Sequence, residues 1–257
     1  MLYSLKAGGK RVRPLYVLAV AKSYGIDLKD ALTVGAAVEM IHTYSLIHDD
    51  LPCMDDDSLR RGKPTNHVVY GEALATLAGD ALNTLAFGVI SRIDTDPAIR
   101  IELVNMLSVA AGAEGMVGGQ ILDIEGEKRN LALEELENVH VNKTGALLRF
   151  SVEAGAVLAR ATAEERAALV NYGHHIGLAF QIQDDILDIT ASSEQLGKTA
   201  GKDIISEKST YPSLLSLEGA KQKLDEHYEA AILSLQNVSI DTELLTQFAQ
   251  YIVKRNN

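Results

Sequence analysis

The chain has 257 residues, with 24 basic and 35 acidic side chains, and a formal net charge of −11. This charge disfavours nucleic acid as a partner, because binding a phosphate backbone requires a basic surface. Hydrophobic residues make up 47% of the chain, enough to bury a substantial core, and the single cysteine excludes an intramolecular disulfide and a thiolate metal cage.

The first 14 residues carry no apolar segment of the kind found in secretory signals. No apolar stretch reaches the roughly 20 residues that a membrane-spanning helix needs. Together with the lone cysteine, Cys53, these features predict a soluble, cytoplasmic protein.

Helix-forming residues fill segment after segment, and alternating β-branched residues are rare. The pattern predicts an all-α fold in one domain spanning 1–257, with no linker. Turn and cap signals separate the elements, such as Asp94 to Pro97 before a helix start. Helices are predicted over 14–24, 28–50, 70–93, 97–125, 133–159, 163–190, 211–235 and 241–254.

Two predicted connections are long. Segment 51–69 contains two prolines and three consecutive aspartates, and segment 191–210 is rich in Ser, Gly and Lys. Each follows an acidic helical region, one ending at 49–50 and the other carrying the aspartates of 184–188. The pairing indicates that both acidic regions serve one site.

The first acidic region begins at the end of an apolar helix. On an unbroken helix Asp49 and Asp55 would lie about 240° apart and would not converge. Pro52 favours a bend or helix end between them, which lets Asp55 return towards Asp49. His42 lies about two turns before Asp49 and shares its face, where it is either a binding residue or an ordinary core histidine.

The second acidic region lies within a helical pattern. Asp184 and Asp188 are four residues apart and share one face, with Gln181 one turn earlier. Like charges at this spacing weaken a helix unless hard cations bind their oxygens. A solvated acidic face is the alternative, but the apolar flanks favour an interior cleft.

Basic residues accompany both acidic regions, and carboxylates that hold Mg²⁺ together with basic side chains suggest phosphate chemistry. These basic residues are Lys10, Arg11, Arg13, Arg60, Arg61, Lys143, Lys198 and Lys208. Lys202 also follows the second acidic region, but there an exposed surface cation is the favoured interpretation. No P-loop, HExxH or strand-linked GxGxxG motif is present, and Gly118 and Gly119 fit close helix packing. Apolar walls beside such a site suit a ligand with a diphosphate head and a hydrocarbon tail.

The chain resembles the short-chain trans-isoprenyl diphosphate synthases, and among them the bacterial enzymes that make the C15 product. The likeness covers nearly all of 8–257. It rests on GGKRVRP at 8–14, HDDLPCMDDDSLRRGKPTNH at 48–67, GGQILDIEGE at 118–127, HVNKTGAL at 140–147, GLAFQIQDDILD at 177–188 and LGKTAGKD at 196–203. It implies a helical bundle around a central cavity, three Mg²⁺ ions with Mn²⁺ able to substitute, and a homodimer.

The resemblance also implies roles for individual residues. The magnesium ligands would be Asp49, Asp55 and Asp184. The contacts to the allylic diphosphate would be Arg60, Lys143, Thr144, Gln181 and Lys198, with Lys208 a less secure match. The contacts to isopentenyl diphosphate would be Lys10, Arg13, His42 and Arg61. Gln120 and Asp123 match a polar pair near the reaction centre.

The implied reaction is Mg²⁺-dependent head-to-tail condensation of isopentenyl diphosphate with dimethylallyl and geranyl diphosphates. Synthesis of the C20 product and a catalytically silent subunit are alternatives, although both aspartate motifs are intact. A terpene cyclase would not need the second anion site, and the ordered basic residues disfavour a merely metal-binding acidic bundle. Relatives carry about one further helix before Gly8, whose absence would expose apolar surface.

Product length is expected to depend on Tyr44 and Ser45. Tyr44 lies about 7.5 Å before Asp49 along the helix, where an aromatic ring would close the hydrocarbon pocket. Helical geometry alone favours Ser45, which lies only about 40° from Asp49 around the axis. The family favours the aromatic, so Tyr44 is predicted to be the pocket floor unless it serves ordinary core packing.

Overall fold

A computed structural model describes residues 1–127, 129–190 and 208–255. The helices before the first acidic loop are α1 (Leu2–Leu5), α2 (Val12–Ser23) and α3 (Leu28–Asp49). Strands β1 (Leu59–Arg60) and β2 (Lys63–Pro64) precede α4 (Asn66–Tyr70), α5 (Glu72–Ile90), α6 (Pro97–Ala111), α7 (Met116–Gly126) and α8 (Leu133–His140). A π-helical turn (Val141–Gly145), α9 (Ala146–Leu158), α10 (Ala163–Thr190), α11 (Tyr211–Ser234), a 3₁₀ turn (Leu235–Asn237) and α12 (Glu243–Lys254) follow.

The helix predicted over 97–125 is two helices. α6 ends at Ala111 and α7 starts at Met116, with a break across Gly112–Gly115. A Cβ on Gly115 would lie 2.2 Å from the Ala110 carbonyl oxygen, so the tight break requires glycine. The other predicted helices are confirmed to within a few residues, although the π-helical turn interrupts the one over 133–159.

Segment 51–69 carries a β-hairpin that the sequence pattern did not predict. Leu59 pairs with Pro64 and Arg60 with Lys63. The two connecting residues, Arg61 and Gly62, have φ values of 54° and 72°, which match a two-residue type I′ turn. The hairpin places Arg60 and Arg61 beside the end of α3.

Two apolar clusters form the core and meet along α2. Val17 belongs to the cluster around α3, α5 and α6, whereas Tyr16 and Val20 belong to the cluster around α10, α11 and α12. α9 contributes to both clusters. α9 therefore packs against both acidic helices, α3 and α10.

An exposed apolar face runs along α5 and α6. Leu74 and Leu77 on α5 and Ile101 on α6 are each more than half exposed. By length and hydropathy α5 could cross a membrane, and about 28% of its apolar stretch is buried within the chain. Core helices of soluble proteins can have the same length and hydropathy, so these two properties alone are weak evidence for a membrane span.

A histidine pair joins α10 to α11 and predicts acid sensitivity. The Nδ1 atoms of His175 and His227 are 2.9 Å apart, so one imidazole donates to the other. Burial and then the charge of His175 lower the pKa of His227 from 6.5 to about 4. As the pH falls, His227 is protonated in the unfolded chain before it is protonated in the folded chain. The contribution of neutral His227 to folding stability is therefore complete above pH 6.5 and is lost as the pH falls towards 4.

We therefore expect His227→Asn to flatten the fall in melting temperature between pH 6.5 and pH 4.5, because Asn does not titrate in this range. Thermal denaturation followed by circular dichroism measures both slopes. Equal slopes in the variant and the parent protein would contradict this assignment.

Candidate active site

After α3 ends at Asp49, the chain turns around Pro52 and returns to the end of the helix. The backbone N–H of Asp55 donates to the Asp49 carbonyl oxygen at 2.9 Å, and Met54 N–H donates to Leu51 O at 2.8 Å. The prediction that the helix ends here and returns Asp55 to Asp49 is confirmed. Burial raises the pKa of Asp49 to about 6. The positive charge of Lys143 acts in the opposite direction, and the negative charge of Asp55 adds to the rise. A bound cation would relieve this cost.

Arg60 is held by carboxylates next to the same helix end. Its Nε and Nη2 atoms lie 2.7 Å and 2.6 Å from Asp50 Oδ1, and Nη2 is 3.7 Å from Asp57. Asp50 is buried, so this pair anchors the hairpin to α3. The guanidinium of Arg60 is thereby fixed close to the first acidic region.

A cationic cavity of about 250 Å³ lies beside α3. The predicted residues Lys10, Arg13, His42 and Arg61 all line it, so the fold brings these four side chains together. It is completed by Gly9, Arg11, Val12, Glu39, Phe180 and Arg255. The arrangement is suited to a multiply charged anion.

The charges in the cationic cavity are only partly balanced. Glu39 is ion-paired with Arg11, and Arg13 Nε is buried with no hydrogen-bond partner among the described residues. Burial lowers the pKa of Arg13 to about 10, and burial followed by the charges of Arg13 and Arg61 keeps the pKa of His42 well below its usual range. His42 is therefore neutral and offers hydrogen bonding without charge.

Gly9 permits the close approach of Arg61. A Cβ on Gly9 would lie 2.4 Å from the Arg61 guanidinium carbon, and Gly9 has a φ of 113°. The backbone conformation favours glycine here, and any side chain at this position would displace the Arg61 guanidinium.

An apolar cavity of about 370 Å³ adjoins the cationic cavity, because Arg13 and His42 line both. Asp49 also lines it, together with Lys143 and Thr144. The remaining wall consists of Tyr44, Ser45, Leu46, His48, Met54, Met116, Val117, Gln120, Ile121 and Ile124. A ligand with a charged head and a hydrocarbon tail fits this distribution of polar and apolar surface.

Lys143 and Thr144 lie on the π-helical turn. Such turns are rare and frequently occur at functional sites. Lys143 Nζ is 2.6 Å from Asp123 Oδ2, and Thr144 Oγ1 donates to Gln181 Oε1 at 3.1 Å. A Cβ on Gly119 would lie 2.1 Å from Lys143 N, so the expectation that this glycine permits close helix packing is confirmed.

The aspartates of α10 have three different environments. Asp184 Oδ1 accepts from Arg255 Nη2 at 2.7 Å, and Asp185 accepts from Gln181 Nε2 at 3.1 Å and from the Tyr211 N–H at 3.0 Å. Asp188 is 4% exposed, and neither carboxylate oxygen has a hydrogen-bond partner among the described residues. The alternative of a solvated acidic face is wrong for Asp188, whereas the side chain of Asp184 is 37% exposed.

The carboxylates fit a hard cation, but not as a closed cage. In the described ranges, no three His, Cys, Asp or Glu side chains are grouped closely enough to hold an ion by themselves. The destabilised Asp49 carboxylate nevertheless suits a divalent cation whose coordination is completed by phosphate oxygens.

Sequence reasoning missed Arg255 as a site residue. It follows α12 without any motif, yet it is buried, lies 4.1 Å over the Phe180 ring and donates to Asp184. Lys208 Nζ lies 3.0 Å from Asp123 Oδ2 and 3.4 Å from Glu127 Oε1. Lys198 lies outside the described residues.

Comparison with known sequences places the chain among prenyl-chain synthases. A sequence model described as polyprenyl synthetase matches residues 1–240. The farnesyl diphosphate synthase of Bacillus subtilis (strain 168) is 56% identical over 100% of this chain and 88% of its own length. The farnesyl diphosphate synthase of Micrococcus luteus is 48% identical over 99% of this chain and 87% of its own length. A chloroplastic geranylgeranyl pyrophosphate synthase of Capsicum annuum is 49% identical over 100% of this chain and 71% of its own length.

Solved structures show the same fold. An FPP/GFPP synthase from Zymomonas mobilis superimposes with a TM-score of 0.87 at 41% identity, covering 98% of this chain and 88% of that one. A geranyltransferase from Helicobacter pylori, solved with magnesium and isoprenyl diphosphate, gives a TM-score of 0.86 at 37% identity. The superposition covers 98% of this chain and 85% of that one. The expected helical fold is therefore confirmed.

Proposed function

The chain belongs to the polyprenyl synthetase family, and we propose that it is a prenyltransferase that makes farnesyl diphosphate. It joins isopentenyl diphosphate head-to-tail to dimethylallyl diphosphate and then to geranyl diphosphate. The observation that carries this proposal is the junction of a cationic cavity with an acid-bordered apolar cavity, which share Arg13 and His42. The names of the relatives support the same reaction.

In this proposal the cationic cavity binds isopentenyl diphosphate. Lys10, Arg13 and Arg61 supply charge, and neutral His42 supplies a hydrogen bond. The allylic diphosphate binds at the mouth of the apolar cavity. Its contacts would be Arg60, Lys143, Thr144, Gln181, Lys198 and Lys208.

The proposed metal ligands are Asp49, Asp55 and Asp184, with three Mg²⁺ as the expected complement and Mn²⁺ able to substitute. Mg²⁺ bound there would neutralise the charge that builds on the departing diphosphate. Asp184 would have to share its carboxylate with Arg255 or exchange that partner.

The residues of the chain perform the remaining tasks. Lys143 and its neighbours hold the allylic diphosphate as its bond to carbon breaks, and the double bond of isopentenyl diphosphate attacks the resulting allylic cation. The released diphosphate takes the proton that the new product loses. Apolar walls such as Met116 and Ile121 exclude water, which would otherwise capture the cation.

The cationic cavity favours this reaction over a terpene cyclase, since a cyclase binds one diphosphate and has no use for a second anion site. It also disfavours the metal-binding acidic bundle. Both aspartate motifs are intact, which is unlike a silent subunit. Synthesis of the C20 product is the second candidate, because the relative from Capsicum annuum carries that name.

Tyr44 decides between the C15 and C20 products in this proposal. It is 7% exposed, lines the apolar cavity next to Ser45, and packs edge-on against His48 at 5.6 Å. We expect the parent protein to stop mainly at C15 and Tyr44→Ala to shift products to C20 and longer. The loss of a buried aromatic should also cost about 3–5 kcal/mol of stability.

Chromatography of the dephosphorylated products measures this shift. Tyr44→Phe keeps the ring and should keep the C15 product, and Ser45→Ala tests the neighbouring side chain. A folded, active Tyr44→Ala variant that still stops at C15 would show that Tyr44 is not the floor of the pocket.

We further propose a cytoplasmic homodimer that buries the exposed apolar face of α5 and α6. That face presents Leu74, Leu77 and Ile101 to solvent in the single chain. Sedimentation of the purified protein at micromolar concentration checks this, and a monomer would contradict it.

The function itself is tested by supplying the protein with isopentenyl diphosphate, dimethylallyl diphosphate and Mg²⁺. We expect farnesyl diphosphate as the main product. Conversion of an allylic diphosphate to a hydrocarbon without isopentenyl diphosphate would indicate a cyclase instead.

A further inference from the structure

One carboxylate oxygen brings together two lysines from distant parts of the chain. Asp123 Oδ2 lies 2.6 Å from Lys143 Nζ and 3.0 Å from Lys208 Nζ. Lys143 belongs to the π-helical turn, and Lys208 lies just before α11. The two ammonium groups are therefore held within a few ångströms of each other despite their mutual repulsion.

The helix that carries Asp123 contacts both the backbone and the side-chain end of Lys143. Gly119 lies one turn before Asp123 on the same face of α7. Its missing side chain lets α7 touch the backbone of Lys143, and Asp123 meets the end of the same lysine side chain. The position of Lys143 is thus set at both ends by one helix face.

The three charges are partly shielded from water. The side chains of Asp123, Lys143 and Lys208 are 19%, 28% and 23% exposed. Burial alone would raise the pKa of Asp123 and lower that of Lys208. The opposite charges outweigh burial, so the pKa of Asp123 is lowered and that of Lys208 is raised.

Lys208 has a second carboxylate partner towards the solvent. Glu127 Oε1 lies 3.4 Å from Lys208 Nζ, and the Glu127 side chain is 39% exposed. Without Asp123, repulsion from Lys143 would favour movement of Lys208 towards Glu127 and out of the cleft.

We propose that Asp123 is a positioning residue that fixes Lys143 and Lys208 as a two-ammonium clamp for one diphosphate group. Each ammonium group has three donors, so it can keep Asp123 and still bind a phosphate oxygen. Because both lysines belong to the proposed allylic site, this inference rests on the proposed function. Asp123 itself contacts neither substrate.

Asp123→Asn tests the clamp, since it keeps the side-chain shape and removes the charge. We expect the KM for geranyl diphosphate to rise at least tenfold and the KM for isopentenyl diphosphate to stay within twofold. The dissociation constant of inorganic pyrophosphate with Mg²⁺, measured by calorimetry, should rise by a similar factor. Glu127→Gln is the matched control and should leave all three constants within twofold.

Several results would overturn the clamp. An unchanged KM for geranyl diphosphate would do so, as would equal weakening of both substrates, which indicates general disorder. Tighter pyrophosphate binding would mean that Asp123 competes with the ligand. Circular dichroism of the variant establishes that it is folded. If the parent protein itself forms no condensation product, the proposed function fails, whereas an active parent with an unaffected variant refutes the clamp alone.

Discussion

Replacing Asp49 by asparagine is expected to lower the condensation rate by at least about 10²–10³-fold while leaving the helical fold intact. Burial and the charge of Asp55 already destabilise the Asp49 carboxylate, so a divalent cation gains more there than at an exposed acid. Asn keeps the shape and removes the charge that would bind the metal. Initial rates with saturating substrates measure the effect.

A matched control lies in the same loop. Asp56 is exposed and has a positive φ of 50°, a conformation that Asn tolerates well. Asp56→Asn should therefore keep most of the activity. Added Mg²⁺ with pyrophosphate should raise the melting temperature of the parent protein and of Asp56→Asn more than that of Asp49→Asn. Near-normal turnover of Asp49→Asn, or full activity in excess EDTA, would remove the metal assignment.

Arg13→Ala is expected to raise the KM for isopentenyl diphosphate about 10- to 150-fold, since a charge-assisted hydrogen bond contributes about 1.5–3 kcal/mol. Arg13 Nε is buried and has no hydrogen-bond partner among the described residues, so a ligand is the partner we expect for it. Lys10→Ala should act in the same direction with a smaller change, because Lys10 is exposed at the rim. Steady-state kinetics with each substrate varied in turn separates the two KM values.

Lys6→Ala controls for the loss of one positive charge from the N-terminal segment, since Lys6 is exposed and does not line the cationic cavity. It should leave both KM values within about twofold. Equal weakening of both substrates by Arg13→Ala would show that the cationic cavity is not a separate isopentenyl diphosphate site.

Local patterns were enough to predict most of the helices and the return of Asp55 to Asp49. Periodicity predicts the bounds of α10 because its apolar face repeats over 28 residues. Pro52 predicts the end of α3 because proline cannot continue the hydrogen-bond ladder. In these cases the physical cause lies within a few residues of its effect.

Features that depend on distant contacts were beyond sequence reasoning. Gly112 and Gly115 do not by themselves predict the break between α6 and α7, since a glycine inside a helix costs only about 1 kcal/mol. The pairs Arg60 with Asp50 and Arg255 with Asp184 depend on tertiary placement. No spacing rule relates residues that are 71 positions apart, so the role of Arg255 needed the structure.

The most direct test of the two-cavity condensing site is the stoichiometry of pyrophosphate release from geranyl diphosphate. We predict one pyrophosphate for each farnesyl diphosphate formed when isopentenyl diphosphate and Mg²⁺ are both present, and almost none when either is omitted. Pyrophosphate release that is independent of isopentenyl diphosphate, without a C15 diphosphate product, would contradict a second substrate site in the cationic cavity.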